Sequence, residues 1–225
     1  PALRQIFDCC NFHTRWNVDG VQNDIEKLSS EQPEAPPGTK ELQGGWFSQV
    51  GGKLSDEQEG LTDEQIQNLT LFTIQNGETF LNYYMLFGGS NPGDWAARNI
   101  TSTYDYNAPI REWGGVGDRY QRVWAIGHML QQYGAELARS VAVNSRATVS
   151  QNDVSVVERR APDGGRFFFV RTGQHVEPRR GGAREWTDSG FRQSRVGGLI
   201  ALSAGGTAVD DPVECWQDEQ RQHCR

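Results

Sequence analysis

Glu41 is the residue of this chain best equipped by its neighbours to do chemistry. It lies in GTKELQGGWF (38–47), after a turn-like entry rich in Pro and Gly, and before two glycines and two aromatics, Trp46 and Phe47. Its segment holds no second acid. A carboxylate beside rings whose faces can stack on sugar C–H groups is suited to meet an oxocarbenium-like centre at a glycosidic carbon. Such a group must stay ionised. An adjacent acid on the same strand would raise its pKa, so its catalytic partner is expected from another strand. The plainer reading is a strand-end glutamate in a surface ion pair.

Two more stretches could wall a ligand. NYYMLFGGSN (82–91) places Tyr84 near the end of an apolar run, where alternation sends Tyr83 and Tyr84 to opposite faces. Aromatic residues in such a run are usually core. TSTYDYNAPIREWG (101–114) holds two tyrosines, an Asp and a Pro, and is too aromatic for solvation alone. A ligand wall or a packed lid is expected there.

Other candidates carry less. His13 and His128 are isolated and read as structural. GGVG (114–117) lacks the Lys-Ser/Thr of a phosphate loop and the full dinucleotide pattern. Cys9, Cys10, Cys215 and Cys224 show no CxxC or His/Cys ligand spacing, which argues against a zinc site. Cys9 and Cys10 read as small packed residues rather than a redox device. Nothing calls for a cofactor. Asn68 and Asn99 head glycosylation sequons, but Asn68 falls within the firmest helix of the chain. The Arg-rich stretch 158–195 has interspersed acids and reads as a solvated face.

The elements that must position these groups follow from periodicity. QIFDCCNFH (5–13) reads as a short buried strand, and 18–32 as a helix with Val21, Ile25 and Leu28 on one face. PPGTKEL (36–42) reads as a second strand. A helix over 62–77 opens on Thr62, three residues before Gln65, and buries Ile66, Leu69 and Phe72. TFLNYYMLF (79–87) reads as a strand covered on both faces. GDRYQRVWAIGHMLQQYG (117–134) sets Tyr120, Val123, Trp124, Gly127 and Leu130 on one stripe and stops at Gly134. The order is βα, βα, βα, with long loops after the strands (43–61 and 88–115) and a short helix-to-strand return at Gly77-Glu78. Barrels place working loops this way, although a doubly wound sheet can do the same. A barrel needs eight units and three are present. From about 139 the texture is β: VSVVER (154–159) and RFFFVRT (166–172) flank APDGG as a hairpin. Beyond about 180 only LIALSA (199–204) looks strand-like, and much of this tail is expected to be poorly ordered.

The charge is uneven. Residues 1–138 carry 9 Lys/Arg against 18 Asp/Glu, a balance of −9, whereas the remainder carries 13 against 11, or +2. The first part is therefore a poor nucleic-acid binder. No run approaches 18 apolar residues, so no membrane span is expected.

Taken together, ELQGGWF, NYYMLFGGSNPG, TSTYDYNAPIREWG and DCCNF (8–12) resemble glycoside hydrolase family 35, the β-galactosidases, in order and spacing over about residues 5–138. ELQGGWF is similar to the family's nucleophilic Glu followed by Gly-Trp-Phe. NYYMLFGGSNPG is similar to its Tyr-Met-x-x-Gly-Gly-Thr-Asn-x-Gly strand end, and the third motif to its Thr-Ser-Tyr-Asp-Tyr-Asp-Ala-Pro loop. VVERRAPDGGRFFFVR resembles the start of its β domains. The resemblance implies the last three βα units of a TIM barrel in 1–138, then the start of a β-sandwich-like domain in 139–225. It implies a retaining exo-β-galactosidase with Glu41 as nucleophile, Tyr84 and Tyr106 against the terminal galactose, and Trp46 and Trp95 shaping the aglycone side. A periplasmic or secreted location goes with it. Ser90 stands for the family's Thr, Pro92 for an aromatic and Asn107 for Asp. The family's acid/base string, Gln-x-Glu-Asn-Glu, does not occur, so the chain is expected to be a fragment, inactive alone. A non-catalytic galactoside-binding protein of the same fold is the alternative, and an unrelated small α/β domain a third.

Overall fold

The computed structural model describes residues 10–12, 19–59, 61–93, 95–143 and 154–172, with short strands at 186–188, 191–193, 199–203, 215–218 and 221–224. Two compact units divide the chain, Pro1–Gly134 and Ala135–Arg225. Among the described residues no helix is long and apolar enough to cross a membrane.

In the first unit β1 (Cys10–Phe12), β2 (Gly38–Gln43) and β3 (Phe80–Tyr84) form a parallel sheet in that order. Helix α1 (Asp19–Glu31) follows β1, and α2 (Asp63–Gln75) follows β2. The predicted stripe Val21, Ile25 and Leu28 joins Leu42, Leu69 and Phe72 in one core, against which Leu81 and Tyr83 pack. Each such side chain contributes about 1.5–3 kcal/mol by leaving water. Thr62 caps α2, its hydroxyl accepting the Gln65 N–H at 3.3 Å. The helix is buried beyond its predicted face. Thr70 and Thr73 also lie inside, and their hydroxyls donate back to the Ile66 and Thr70 carbonyls.

Strand β3 departs from expectation. Among the described strands it pairs only with β2, and Phe80 is half exposed, so the run is not covered on both faces. Among the described strands it lies at the sheet's edge. The expected parting of Tyr83 and Tyr84 does occur: Tyr83 Oη shares a 2.8 Å hydrogen bond with Thr70 of α2, whereas Tyr84 Oη meets Tyr104.

The long loops after β2 and β3 are ordered against each other. Val50 N–H donates to the Asn99 carbonyl at 3.1 Å, and Thr101 N–H to that of Ser48 at 3.3 Å. Within the second loop β4 (Gly89–Ser90) pairs antiparallel with β5 (Thr103–Tyr104). The Ser90 and Thr103 hydroxyls both donate to the Glu112 carboxylate, closing the ribbon.

Helix α3 (Asp118–Arg139) does not stop at Gly134. Ala-Glu-Leu-Ala-Arg after the glycine are strong helix formers, and together they outweigh its cost of about 1 kcal/mol. The predicted stripe is also shifted. Trp124 is 42% exposed and pairs edge-on with His128, while Arg119 and Ile126 are buried. The buried face runs through the Arg119 guanidinium, one position before the apolar stripe, because its charge is met by carbonyl oxygens.

In the second unit β6 (Val141–Val143), β7 (Val154–Arg160) and β8 (Arg166–Thr172) form an antiparallel sheet, and two more pairs of short strands form separate ribbons. Those are β9 (Trp186–Asp188) with β10 (Phe191–Gln193), and β12 (Cys215–Asp218) with β13 (Arg221–Cys224). Strand β11 (Leu199–Ser203) adds to the outer edge of β8. The β7–β8 hairpin forms as predicted, register Arg160↔Arg166, its turn closed by Ala161 N–H on the Gly165 carbonyl at 2.8 Å. The start of the Arg-rich stretch is not a solvated face. Glu158 is fully buried between Arg160 and Arg166, and the Arg159 side chain lies inside on Ser140. The expectation of poor order beyond 180 concerns residues that lie mostly outside those described.

Candidate active site

Glu41 is the fourth residue of the six-residue strand β2. It lies where the pairing register of β2 with β3 shifts, between Thr39 and Leu42, whose side chain enters the helix-side core. Gln43 is fully buried and donates to the Gly45 carbonyl at 2.9 Å, which curls the chain immediately past the strand.

That curl requires Gly44 and Gly45. A Cβ on Gly44 would sit 2.1 Å from the Met85 carbonyl oxygen, and one on Gly45 would sit 1.7 Å from that of Tyr106. A third close approach sets Gly88 on Asp105, where a Cβ would lie 2.4 Å from the carbonyl oxygen. Absence of a side chain is the property used here. Gly44 N–H donates to the Tyr84 carbonyl at 2.7 Å and Trp46 N–H to that of Tyr106 at 2.9 Å, so the β2 exit is bonded to both aromatic segments.

Arg119 fixes the same exit from α3. Its guanidinium is 3% exposed and donates to the carbonyls of Gly44 at 2.7 Å, Thr62 at 2.8 Å and Leu61 at 3.2 Å. Burial lowers its pKa to about 10, still far above neutrality, so it remains a cation holding three carbonyl dipoles.

Aromatic rings gather around this point. Tyr106 is 2% exposed and adopts φ 63°, a left-handed conformation rare for a tyrosine and followed by Asn107 at 48°. Its ring stacks on Tyr104 at 5.4 Å between centroids, meets Tyr84 edge-on at 5.6 Å and tilts to Trp46 at 6.4 Å. Trp46 also stacks on Phe47 at 4.6 Å. The Tyr84–Met85 peptide at the end of β3 is cis. The Tyr104 and Tyr106 hydroxyls have pKa values raised above the ordinary phenol range, chiefly by burial, with Tyr84 and the negative charge of Glu41 adding to it. Both phenols therefore stay protonated and able to donate beside a carboxylate.

The left-handed turn is held by its neighbour. Asp105 accepts from Arg111 Nε at 2.8 Å and from Glu112 N–H at 2.7 Å, and Arg111 reaches on to Asp56 at 2.7 Å in the other loop. Burial pushes the Asp105 pKa up, but Arg111 and the Glu112 N–H together hold it below the usual carboxylate range. Asp105 is thus a clasp for the loop rather than part of a ligand wall.

Of the residues singled out from sequence, Tyr84, Tyr106 and Trp46 come together at the β2 exit with Glu41. Trp95 stands 80% exposed on the loop before β5 and is not part of this ring cluster. Tyr104, Arg119 and the Asp105–Arg111 pair were missed as individual contributors. Tyr104 had a signal in its spacing, two residues before Tyr106, and Arg119 had one in standing seven residues before Ile126 on a single helical face. Among the described residues no group of three or more His, Cys, Asp or Glu could hold a metal ion.

Known proteins share these segments. Residues 2–130 match the family model of Glycosyl hydrolases family 35. The chain is 30% identical over 156 residues to "Probable beta-galactosidase B" of Sclerotinia sclerotiorum, covering 69% of this chain and 15% of that protein. It is 30% identical over 147 residues to "Probable beta-galactosidase C" of Penicillium rubens and 31% over 154 to that of Aspergillus clavatus, each match covering 65% of this chain. The chain spans about 15% of the length of each of these relatives.

Proposed function

The chain belongs to Glycosyl hydrolases family 35, and from that premise we propose that it is the nucleophile-bearing part of a retaining exo-β-galactosidase, comprising the last three βα units of a TIM barrel and the start of a β domain. The observation that carries the reading is the position of Glu41. It lies near the carboxyl end of a parallel strand, where barrel enzymes place catalytic groups, and its charge reaches the phenols of half-buried Tyr104 and buried Tyr106.

In this reading a Glu41 carboxylate oxygen attacks the anomeric carbon of a terminal β-galactosyl residue. The bond to the aglycone oxygen breaks, and that oxygen takes a proton from an acid on another strand, about 5 to 5.5 Å from Glu41 in enzymes that retain configuration. Water then attacks the galactosyl-enzyme, losing its proton to the same residue, and Glu41 leaves as carboxylate. Tyr84 and Tyr106 border the sugar and hold the carboxylate in place, and Trp46 lines the aglycone side. Trp95, far more exposed, would meet only the outer part of the substrate. The acid is not supplied by the motifs of this chain, so the chain alone does not turn over. Export to a periplasmic or secreted location accords with a polysaccharide or oligosaccharide substrate.

A leaving group that needs no protonation separates the two halves of the reaction. The chain treated with 2-deoxy-2-fluoro-β-galactosyl fluoride is expected to gain one fluorogalactosyl group on Glu41, located by peptide mass mapping, and E41Q is expected to gain none. Nitrophenyl β-galactoside is expected to show no sustained release of nitrophenol. Labelling elsewhere, robust turnover by the chain alone, or galactose binding with no labelling at all would each overturn the reading.

A further inference from the structure

We propose that Tyr104 is a positioning residue whose hydroxyl holds the Tyr84 phenol and whose ring face holds Tyr106, so that one side chain sets both phenols bordering Glu41. The inference rests on Glu41 being the nucleophile, as above.

Tyr104 is the member of the cluster with both kinds of contact. Its Oη shares a 3.0 Å hydrogen bond with Tyr84 Oη, and its ring lies nearly parallel to that of Tyr106, at 22° with centroids 5.4 Å apart. Tyr84 and Tyr106 meet each other only edge to face, at 73°. The backbone under Tyr104 is fixed on two sides, by pairing with Gly89 and by the clasped Asp105 that follows it. Tyr106 needs such support, because a tyrosine at φ 63° is held there by its surroundings rather than by preference.

The hydroxyl contact has a directional consequence. A phenol has one proton to donate, so when Tyr104 donates to Tyr84, the Tyr84 proton is released for the carboxylate or a sugar hydroxyl. A donor chained in this way is also strengthened by the bond it receives. Phenylalanine at 104 keeps the stack and removes the chain. Alanine removes both.

The test reads position and chemistry separately in the full 225-residue chain. With tyrosine labelled by carbon-13 at Cζ, Y104F is expected to shift the Tyr84 resonance and leave that of Tyr106 in place. Y104A is expected to shift both. In the fluorogalactosyl assay Y104F is expected to slow labelling of Glu41 roughly three- to tenfold. The loss should fall in the rate constant and not in sugar affinity, and Y133F on α3 should label at the wild-type rate. Tyr84 and Tyr106 resonances unmoved in both variants would overturn the positioning role. If the unmutated chain does not label, the nucleophile reading fails, and the resonances alone decide whether Tyr104 holds its neighbours.

Discussion

Replacing Gly45 by alanine tests whether the backbone contact behind Glu41 is what holds the tyrosine loop. The added Cβ would start 1.7 Å from the Tyr106 carbonyl oxygen, and real contacts of this kind do not close below 3.0 Å, so the two segments must part by at least about 1.3 Å. The facing atom is backbone, so no rotamer change relieves the clash. Parting by that distance stretches the 2.9 Å bond from Trp46 N–H to the same oxygen beyond use. Losing a buried hydrogen bond and leaving its acceptor unpaired costs about 1–3 kcal/mol, and overpacking adds about 1–3 kcal/mol. A combined local cost of about 2–6 kcal/mol raises opening at this point roughly 30- to 25,000-fold. Amide hydrogen exchange at Trp46, compared between G45A and a G89A control whose Cβ would meet nothing within 4 Å, reads this directly. Faster exchange in G45A alone is expected, together with slower fluorogalactosyl labelling. Equal exchange in the two variants would refute the claim that this approach is tight.

Arg119 replaced by methionine strands three carbonyls and is expected to cost about 3 kcal/mol, read as faster exchange of the Gln65 and Trp46 amides; R119K, with one compact charge, recovers only part. Asp105 has a folded pKa below its unfolded value, so its contribution is fully present above the unfolded carboxylate range and is lost as pH falls through the folded value. Exchange of the Glu112 amide, corrected for intrinsic rate, is therefore expected to be flat from neutrality down to about pH 4 and to rise below it, and D105N removes that pH dependence. Glu158 follows the same sign, held low by Arg166 and Arg160 despite burial, and E158A is expected to destabilise the β7–β8 hairpin by about 1–2 kcal/mol, since the two arginines it leaves are partly exposed and turn to water.

Regular elements were readable because periodicity reports burial. Val21, Ile25 and Leu28 gave α1 through spacing alone, Thr62 gave the start of α2, and Asp-Gly between two β-prone runs gave the hairpin. What escaped depends on contacts between segments distant in sequence. No local pattern says that Gly45 will lie on Tyr106, that Asp105 will reach Asp56 through Arg111, or that Arg119 will be spent inside on carbonyls. Hydropathy also misreads groups whose burial is compensated electrostatically. Glu158 and Arg159 looked solvated because the partners that make their burial tolerable are visible only once the strands pair. Glu41 was legible from its aromatic company, whereas the second layer that orients that company was not.

The three close approaches at Gly44, Gly45 and Gly88 divide the loops into positions of very different mutability. Random libraries that vary these glycines would consist mostly of damaged scaffolds, whatever they gained in contacts. The exposed Val50 and Trp95 mark stretches that can be diversified or tagged instead. Re-engineering of aglycone preference therefore belongs in the loop crests, with the glycine joints left as the frame that keeps every library member in register.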